Sequence, residues 1–510
     1  MKLFIILLIF FTTFSLFSNE NQINSNQEIK NIISQMTIQE KIGQLFNIAI
    51  VGKKLKPEYK KFIEKYQIGG ITLFNYNIKN KKQLKSFIDE LQNISKIPMF
   101  ISVDQEGGRI TRYKKGNFLP PSPYLIGKLN DKEIVKKVGE YTAKDLLSVG
   151  INLNIAPVAD ILSTYKNKAI FDRSFGENAE KVSEMVSAYI ESLQDNGVIA
   201  VIKHFPGQGS IKQDTHKTLP YSKIKTELLF KRDLLPFKTA INKNLVNIVM
   251  SSHVIFANID YKYPATLSKK LLNGILRKKL NYNGIVFTDG LEMMAILKTY
   301  GLEKATLLAL QGEVDVVTIN WDLKNVKRAV KFIEESVKNK KISEELINQK
   351  LFRILKVKKK FLYNKKSIKE LNKKEIDEFL MSVYRKGARY QNISEFTKEF
   401  AYENVKCDES LPLKERKCGL IKRKIYSNMK IFKKNKKINY LKHIPENISQ
   451  SVIIISKSGS ISRNLYKNNI IVYLGADIGI KKRKYFKGLI LNENNKYTRK
   501  IALGKLWLNK

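Results

Sequence analysis

The stretch from Lys203 to His216 holds two of the chain's four histidines, together with Lys203 and Asp214. Residues 197–202 ahead of it are apolar and read as a buried parallel strand that runs straight into Lys203-His204. Pro206, Gly207 and Gly209 then break regular structure, and Asp214 and His216 follow two positions apart in a loop. A carboxylate beside an imidazole is a candidate dyad, because the acid orients the ring and raises its basicity while the ring moves a proton. The competing reading is a surface loop whose Asp-Thr pair caps a helix. A second candidate is Asp289, which ends an apolar run next to Gly290. A carboxylate there suits a nucleophile, a charge stabiliser or a metal ligand; no tight group of His and carboxylates accompanies it, which argues against the metal. A nucleophilic carboxylate and an imidazole proton donor fit covalent catalysis at an acetal carbon, one attacking while the other protonates the leaving oxygen. Asp104, Arg112, Arg173, Lys203 and His204 would supply fixed polar contacts to sugar hydroxyls and an amide. For the Asp and Arg residues among them the alternative is a salt bridge at a rim.

These residues need a scaffold that brings distant positions together. Eight short apolar runs read as strands: 45–50, 70–74, 99–103, 151–156, 198–203, 247–251, 284–288 and 314–319. Helical patterns separate most of them, at 133–147, 179–193 and 223–241 for instance, and two more follow at 328–338 and 344–359. Thr37 and Glu40 form a capping-box signature ahead of the first strand. Strands alternating with helices in that number predict an α/β fold, a (β/α)8 TIM-like barrel over residues 30–360. Nearly every candidate strand ends in polar residues: Asp104 after the third, Asp160 after the fourth, Lys203-His204 after the fifth, His253 after the sixth and Asp289 after the seventh. Side chains from different strands converge at that end of a barrel, so the coincidence marks a site. Residues 380–510 change texture to Lys- and Asn-rich sequence, with strand-like runs at 451–456 and 469–474 and a helical pattern at 393–402. They predict a small α/β appendage without catalytic residues.

With 43% hydrophobic and 27% charged residues, the chain of 510 residues can bury a sizeable core and is not globally disordered. Its formal net charge of +45 raises the question of a nucleic-acid partner. The lysines are scattered rather than grouped with aromatics, and Asn, Ile and Phe are abundant throughout, so a compositional bias explains the charge. No specific nucleic acid is expected, only a salt-sensitive attraction to anionic surfaces. Met1-Lys2 followed by the apolar residues 3–17 reads as a signal peptide or N-terminal anchor over residues 1–18. Leu16-Phe17-Ser18 lacks a small residue at the place a signal peptidase favours, which leaves cleavage and retention as alternatives. Either predicts an exported protein, periplasmic or associated with the cell envelope. The only cysteines, Cys407 and Cys418, have the spacing of neither a zinc site nor a redox motif; a disulfide and two unpaired thiols remain alternatives.

Seven motifs occur in one order: residues 104–109 (DQEGGR), 156–160 (APVAD), 172–176 (DRSFG), 203–207 (KHFPG), 214–216 (DTH), 264–268 (PATLS) and 287–291 (FTDGL). In this arrangement the chain resembles the family-3 glycoside hydrolases, in their bacterial β-N-acetylhexosaminidase branch, over residues 30–360. The resemblance implies Asp289 as the nucleophile that forms a glycosyl-enzyme, and His216 paired with Asp214 as the general acid/base on a loop. It implies Asp104, Arg112, Arg173, Lys203 and His204 as contacts to an N-acetylglucosamine unit. It further implies retention of configuration, no metal or organic cofactor, and an oligosaccharide substrate from peptidoglycan or chitin-like material. Gln208 stands where that branch usually has His, and Ser210-Ile211 where it has Asp-Thr. Two other functions remain open on the same fold: a glycoside phosphorylase, since an imidazole repels phosphate less than a carboxylate does, and a non-catalytic exported glycan-binding barrel.

Overall fold

The computed structural model describes residues 24–164, 167, 169–211, 219–320, 322–363 and 370–387, and beyond them the backbone of short strands between residues 389 and 491. The signal-like segment 1–18 and the helical pattern at 393–402 lie outside the described residues. The chain divides into two compact units, Met1–Leu371 and Asn372–Lys510. The second therefore begins ahead of residue 380, because the helix Lys373–Gly387 belongs to it.

In the first unit each of the eight apolar runs becomes a strand of one closed barrel. In chain order these are β1 (Phe46–Ala49), β2 (Gly70–Leu73), β3 (Phe100–Val103), β4 (Leu153–Asn154), β5 (Ile199–Phe205), β6 (Ile248–Ser251), β7 (Ile285–Gly290) and β8 (Val316–Ile319). Every neighbour pairs in parallel, and β8 closes on β1 with Phe46 opposite Val317. The strands are buried on both sides because helices cover the outside and side chains fill the inside, which is why they read as continuous apolar runs.

Inward and outward phases follow from the period of two. Phe100 on β3 and Phe287 on β7 are not on neighbouring strands, yet their rings meet edge to face at 6.1 Å across the barrel interior. Both therefore point inward. So does Ser102 on β3, at the same parity, with Asp104 directly past the strand; on β7 a bulge between Phe287 and Gly290 breaks the phase before Asp289. Above the aromatic layer a polar one joins β1, β2 and β3: Asn47 Nδ2 donates to Thr72 Oγ1 (2.6 Å), which bonds Ser102 Oγ (2.9 Å).

The helices begin where the sequence supplies caps. Thr37 Oγ1 accepts from the Glu40 N–H, and Glu40 returns the bond to the Thr37 N–H at 2.9 Å, completing the expected box. Asp131 caps Lys132–Leu147 and Asn178 caps Ala179–Asp195. The pattern at 223–241 is helical, as expected, but not uniformly α: Thr226–Leu228 is α, Leu229–Asp233 widens to a π-helix, and Leu235–Asn242 is α again. Pro236 has no N–H to give the carbonyl four residues back, and the wider turns ahead of it, with the Leu234 N–H on the Leu229 carbonyl at 2.9 Å, accommodate that loss.

At the opposite end from the polar rim a lysine closes the barrel floor. Lys358, fully buried at the end of the helix Glu344–Lys358, donates to Gln44 Oε1 (2.7 Å) and to the Gly69 carbonyl (2.9 Å) and lies over the Phe100 ring. No carboxylate pairs with it among these contacts, and burial pushes its amine down to about 7.

The second unit contains a sheet ordered Arg389–Gln391, Gly488–Leu491, Asn469–Leu474, Ser451–Ser456, Met429–Lys433, antiparallel only at its first pair. Both expected strands are in it. A separate antiparallel pair, Val405–Cys407 with Cys418–Leu420, sets Cys407 opposite Cys418 in backbone register. Among the described residues no helix is long and apolar enough to cross a membrane.

The barrel floor yields a test. Between about 7 and the ordinary lysine value near 10.4 the unfolded chain binds the proton that folded Lys358 does not, so Lys358 makes stability rise with pH through that window. The stability of Lys358→Met relative to wild type should therefore fall by about 3 kcal/mol from pH 7 to pH 10. Urea midpoints of both proteins across that range measure it; a difference independent of pH would contradict the depressed amine.

Candidate active site

At the carboxyl end of the barrel, charges from β3, the loop after β4, and β5 form one network. Lys203 on β5 is the centre: only 2% of its side chain is exposed, and its ammonium lies 2.7 Å from Asp104 Oδ1 and 2.5 Å from Glu106 Oε1. Glu106 is also buried, and Arg173 grips it with Nε at 2.6 Å from Oε2 and Nη2 at 2.8 Å from Oε1. Burial works against Glu106 ionising, but Arg173 and Lys203 hold its carboxyl far below the usual range. Burial also opposes the charges of Lys203 and Arg173, and the carboxylates around them raise both above their ordinary values.

A hairpin just past β3 carries two of these groups. Gln105–Gly107 pairs with Ile110–Thr111, and Gln105 closes the loop by bonding Tyr113 through both its N–H and C=O. Gly107 has φ +106°, and a Cβ there would meet the Pro121 carbonyl at 2.1 Å, so only glycine fits the turn. On the outer side Arg109 pairs with Asp172 and donates to the Ala169 carbonyl (2.8 Å), tying the hairpin to the loop that supplies Arg173. The expected ligand Arg112 follows: its Nε is buried without a hydrogen-bond partner among the described residues.

His204 is buried. Its Nδ1 lies 2.7 Å from Asp160 Oδ2, while Nε2 faces Arg173 Nη2 at 3.5 Å. Asp160 also accepts from the Gln208 N–H (2.7 Å), and Asn167 Nδ2 donates to the Gln208 carbonyl (2.9 Å). The loop leaving β5 is thus pinned at its base. It returns at Tyr221–Ser222, paired with Ile255–Phe256 just after β6. Asp214 and His216 lie between these anchors and outside the described residues.

Asp289 stands across the mouth, partly exposed, with Oδ1 accepting from the Gly290 N–H at 2.8 Å. Burial opposes its ionisation, but the fields of His253 and His204, the Gly290 N–H and Lys203 together hold its carboxyl below the usual value. His253 Nε2 donates to the Gly290 carbonyl (3.0 Å), and its Nδ1 is 2.8 Å from Thr266 Oγ1, which also bonds the Ser252 carbonyl. Residues 264–268 thereby hold the histidine that holds the end of β7.

The structure thus brings Asp104, Arg112, Arg173, Lys203, His204 and Asp289 to one mouth. Lys203, Arg173 and His204 are largely spent on carboxylates and one another, whereas Asp104 and Asp289 are partly exposed and Arg112 keeps a buried Nε without a partner among the described residues. Glu106, Asp160 and His253 are the structural surprises. Each was visible as a polar residue at a strand end, but its partner is 13 to 67 residues away in sequence. Among the described residues no group of three or more His, Cys, Asp and Glu is spaced to hold a metal ion.

Residues 37–357 match the model of the glycosyl hydrolase family 3 N-terminal domain. The β-hexosaminidase of Actinobacillus pleuropneumoniae serotype 3 is 36% identical over 251 residues, covering 48% of this chain and 72% of the relative. Among solved structures, a family 3 β-N-acetylglucosaminidase from Paenibacillus superposes with a TM-score of 0.78 at 25% identity, covering 92% of this chain and 96% of the other. NagZ from Neisseria gonorrhoeae, in complex with N-trifluoroacetyl-D-glucosamine, gives a TM-score of 0.51 at 26% identity over 61% of this chain and 97% of its own. The barrel, the motif order and these likenesses converge: the chain belongs to glycosyl hydrolase family 3 and is a glycoside hydrolase.

Proposed function

We propose that this protein is a retaining exo-β-N-acetylhexosaminidase that removes terminal N-acetylglucosamine from peptidoglycan fragments or chitin-like oligosaccharides. The observation that carries the reading is Asp289: a carboxylate kept ionised at the barrel mouth, opposite a preorganised wall of Asp104, Arg112 and the Lys203–Glu106–Arg173 network. In the first step a carboxylate oxygen of Asp289 attacks C1 of the sugar. The C1–O bond to the leaving group breaks, and the departing oxygen takes a proton from His216, which Asp214 orients. In the second step water attacks C1 and gives its proton to His216; the C1–O bond to Asp289 breaks and the carboxylate is restored. Two inversions at C1 return the original configuration. Asp104 and Arg112 contact the sugar, while Lys203, Arg173 and His204 fix the wall behind it. The roles of Asp214 and His216 rest on the sequence motif and on the anchors of their loop beside β5 and β6. We extend the proposal to location: residues 1–18 and the basic shell favour an exported, envelope-associated enzyme.

Purified protein should release nitrophenol from the aryl N-acetyl-β-glucosaminide far faster than from the β-glucoside, at a rate that added phosphate leaves unchanged. Phosphate-dependent formation of the sugar 1-phosphate would instead make it a phosphorylase. Asp289→Ala should abolish turnover, and His216→Ala should lower kcat by about 10²–10⁴-fold, the usual worth of acid/base catalysis. Wild-type rates from either variant would refute the assignment. Glu106→Gln leaves Lys203 and Arg173 short of one buried negative charge and should cost about 3–5 kcal/mol of stability. Because the folded carboxyl is held below its unfolded value, that contribution is present above the ordinary carboxylate range and lost as pH falls through the lower, folded value. Unfolding midpoints at pH 7 and near pH 3 should show the gap between wild type and Glu106→Gln narrowing in acid.

A further inference from the structure

The second unit holds a ladder that its backbone alone does not account for. Val405–Cys407 and Cys418–Leu420 pair antiparallel over three rungs, Val405 with Leu420, Lys406 with Gly419 and Cys407 with Cys418. They form a sheet of two strands, apart from the five-stranded sheet of the same unit. A lone pair of strands is marginal in water, because so few rungs return little against the chain entropy they cost. Its register needs an explanation as well. Turn geometry pins a hairpin when about two to five residues connect the strands. Here residues 408–417 lie between them, a connection too long to impose one pairing over its neighbours.

The rung nearest that connection is the cysteine pair. These are the only two cysteines of the chain, so each has one partner available within it. Residues directly opposite on antiparallel strands share a face of the ladder, whereas a slip of one residue sets them on opposite faces. Opposed α-carbons in such a ladder are about 4.5 or 5.5 Å apart, depending on whether the rung is hydrogen-bonded. Both spacings fall within the roughly 4.4–6.8 Å that a disulfide spans. One rung therefore meets the backbone requirement for a cross-link and sits where a cross-link supplies the constraint that the ladder lacks.

We propose that Cys407 and Cys418, opposite each other at the closing rung of this ladder, form a disulfide that staples the hairpin and fixes its register. The oxidant is an external disulfide, carried by a thiol–disulfide oxidoreductase or by oxidised glutathione. One cysteine thiolate attacks a sulfur of that disulfide, which forms a mixed disulfide and releases the first thiol of the oxidant. The second cysteine thiolate attacks the protein sulfur of the mixed disulfide, and the oxidant leaves as its second thiol. Two protein thiols are oxidised, one external disulfide is reduced, and the two cysteine protons end on the released thiols. Such a bond persists in an oxidising compartment, in keeping with the location proposed above. It does not depend on the reading of Asp289 or on the sugar.

For the test, full-length protein is reduced, equilibrated with an oxidising glutathione couple, quenched with an alkylating agent and digested with trypsin. Mass spectrometry should find the peptide 407–414 joined to the peptide 418–422 by one disulfide, in protein that stays free of covalent dimers. Alkylated unlinked peptides, cysteines capped with glutathione or a disulfide-linked dimer as the main product would each overturn the proposal. Nearness in sequence also favours joining the two thiols, and a shifted pair separates that effect from the ladder's. Cys418→Ser/Gly419→Cys moves the second thiol to the position opposite Lys406, on the other face from Cys407. Its ratio of linked to reduced protein in the same couple should be about tenfold below that of wild type. In denaturant, where no ladder selects a register, the two ratios should converge. Equal ratios in the folded protein would mean that the ladder does not direct the bond, and the proposal would fall.

Discussion

A buried lysine that is to keep its charge needs carboxylates beside it, and the arrangement of the site follows from that constraint. Lys203 is desolvated by the strands around it, so Asp104 and Glu106 must approach. Glu106 is buried in turn, and together with Asp104 it brings two negative charges to one ammonium. Arg173 supplies the second cation. Its remaining hydrogens go to the Ala169 carbonyl and toward His204, and His204 is fixed by Asp160. Each group thus compensates the one before it. The chain of compensation runs from β3 through the loop after β4 to β5 and ends at the base of the loop that carries Asp214 and His216, because Asp160 also holds the Gln208 N–H.

The nucleophile candidate is positioned by a different device. Among the described residues no hydrogen bond or ion pair joins Asp289 to the Lys203 network; the bulged end of β7 carries it, beyond Phe287 packed against Phe100 in the barrel interior. His253 then fixes the peptide behind it by holding the Gly290 carbonyl. Separating the two supports has a physical benefit. The charged wall can be rigid and balanced while Asp289, bonded only through Oδ1 to the Gly290 N–H among the described residues, escapes the tight salt bridge to Lys203.

Much of this was legible in the sequence, for reasons that also explain what was not. The eight strands could be read because burial on both faces leaves uninterrupted apolar runs, and the polar residues closing those runs lie on the barrel rim where six of the expected site residues meet. Local chemistry was readable too: Thr37 and Glu40 are three residues apart, so their capping box is a short-range event. The helix at 223–241 was readable from its apolar periodicity, but its widening to π over Leu229–Asp233 was not. The roles of Glu106, Asp160 and His253 were hidden for a different reason. A hydrogen bond such as Asp160–His204 spans 44 positions and has no local signature. Only the barrel makes them neighbours. The depressed amine of Lys358 is similar: nothing around residue 358 hints at Gln44 or Phe100.

The two carboxyls at the end of β7 show how one strand terminus can serve two purposes. Asp289 and Glu292 are pushed in opposite directions, the first down by His253, His204, the Gly290 N–H and Lys203 against its burial, the second up by burial and by Asp289 itself. Two negative charges so placed repel each other, which disfavours ionising both. Driving the pair apart lets the nearer group stay ionised while the farther one holds its proton more readily.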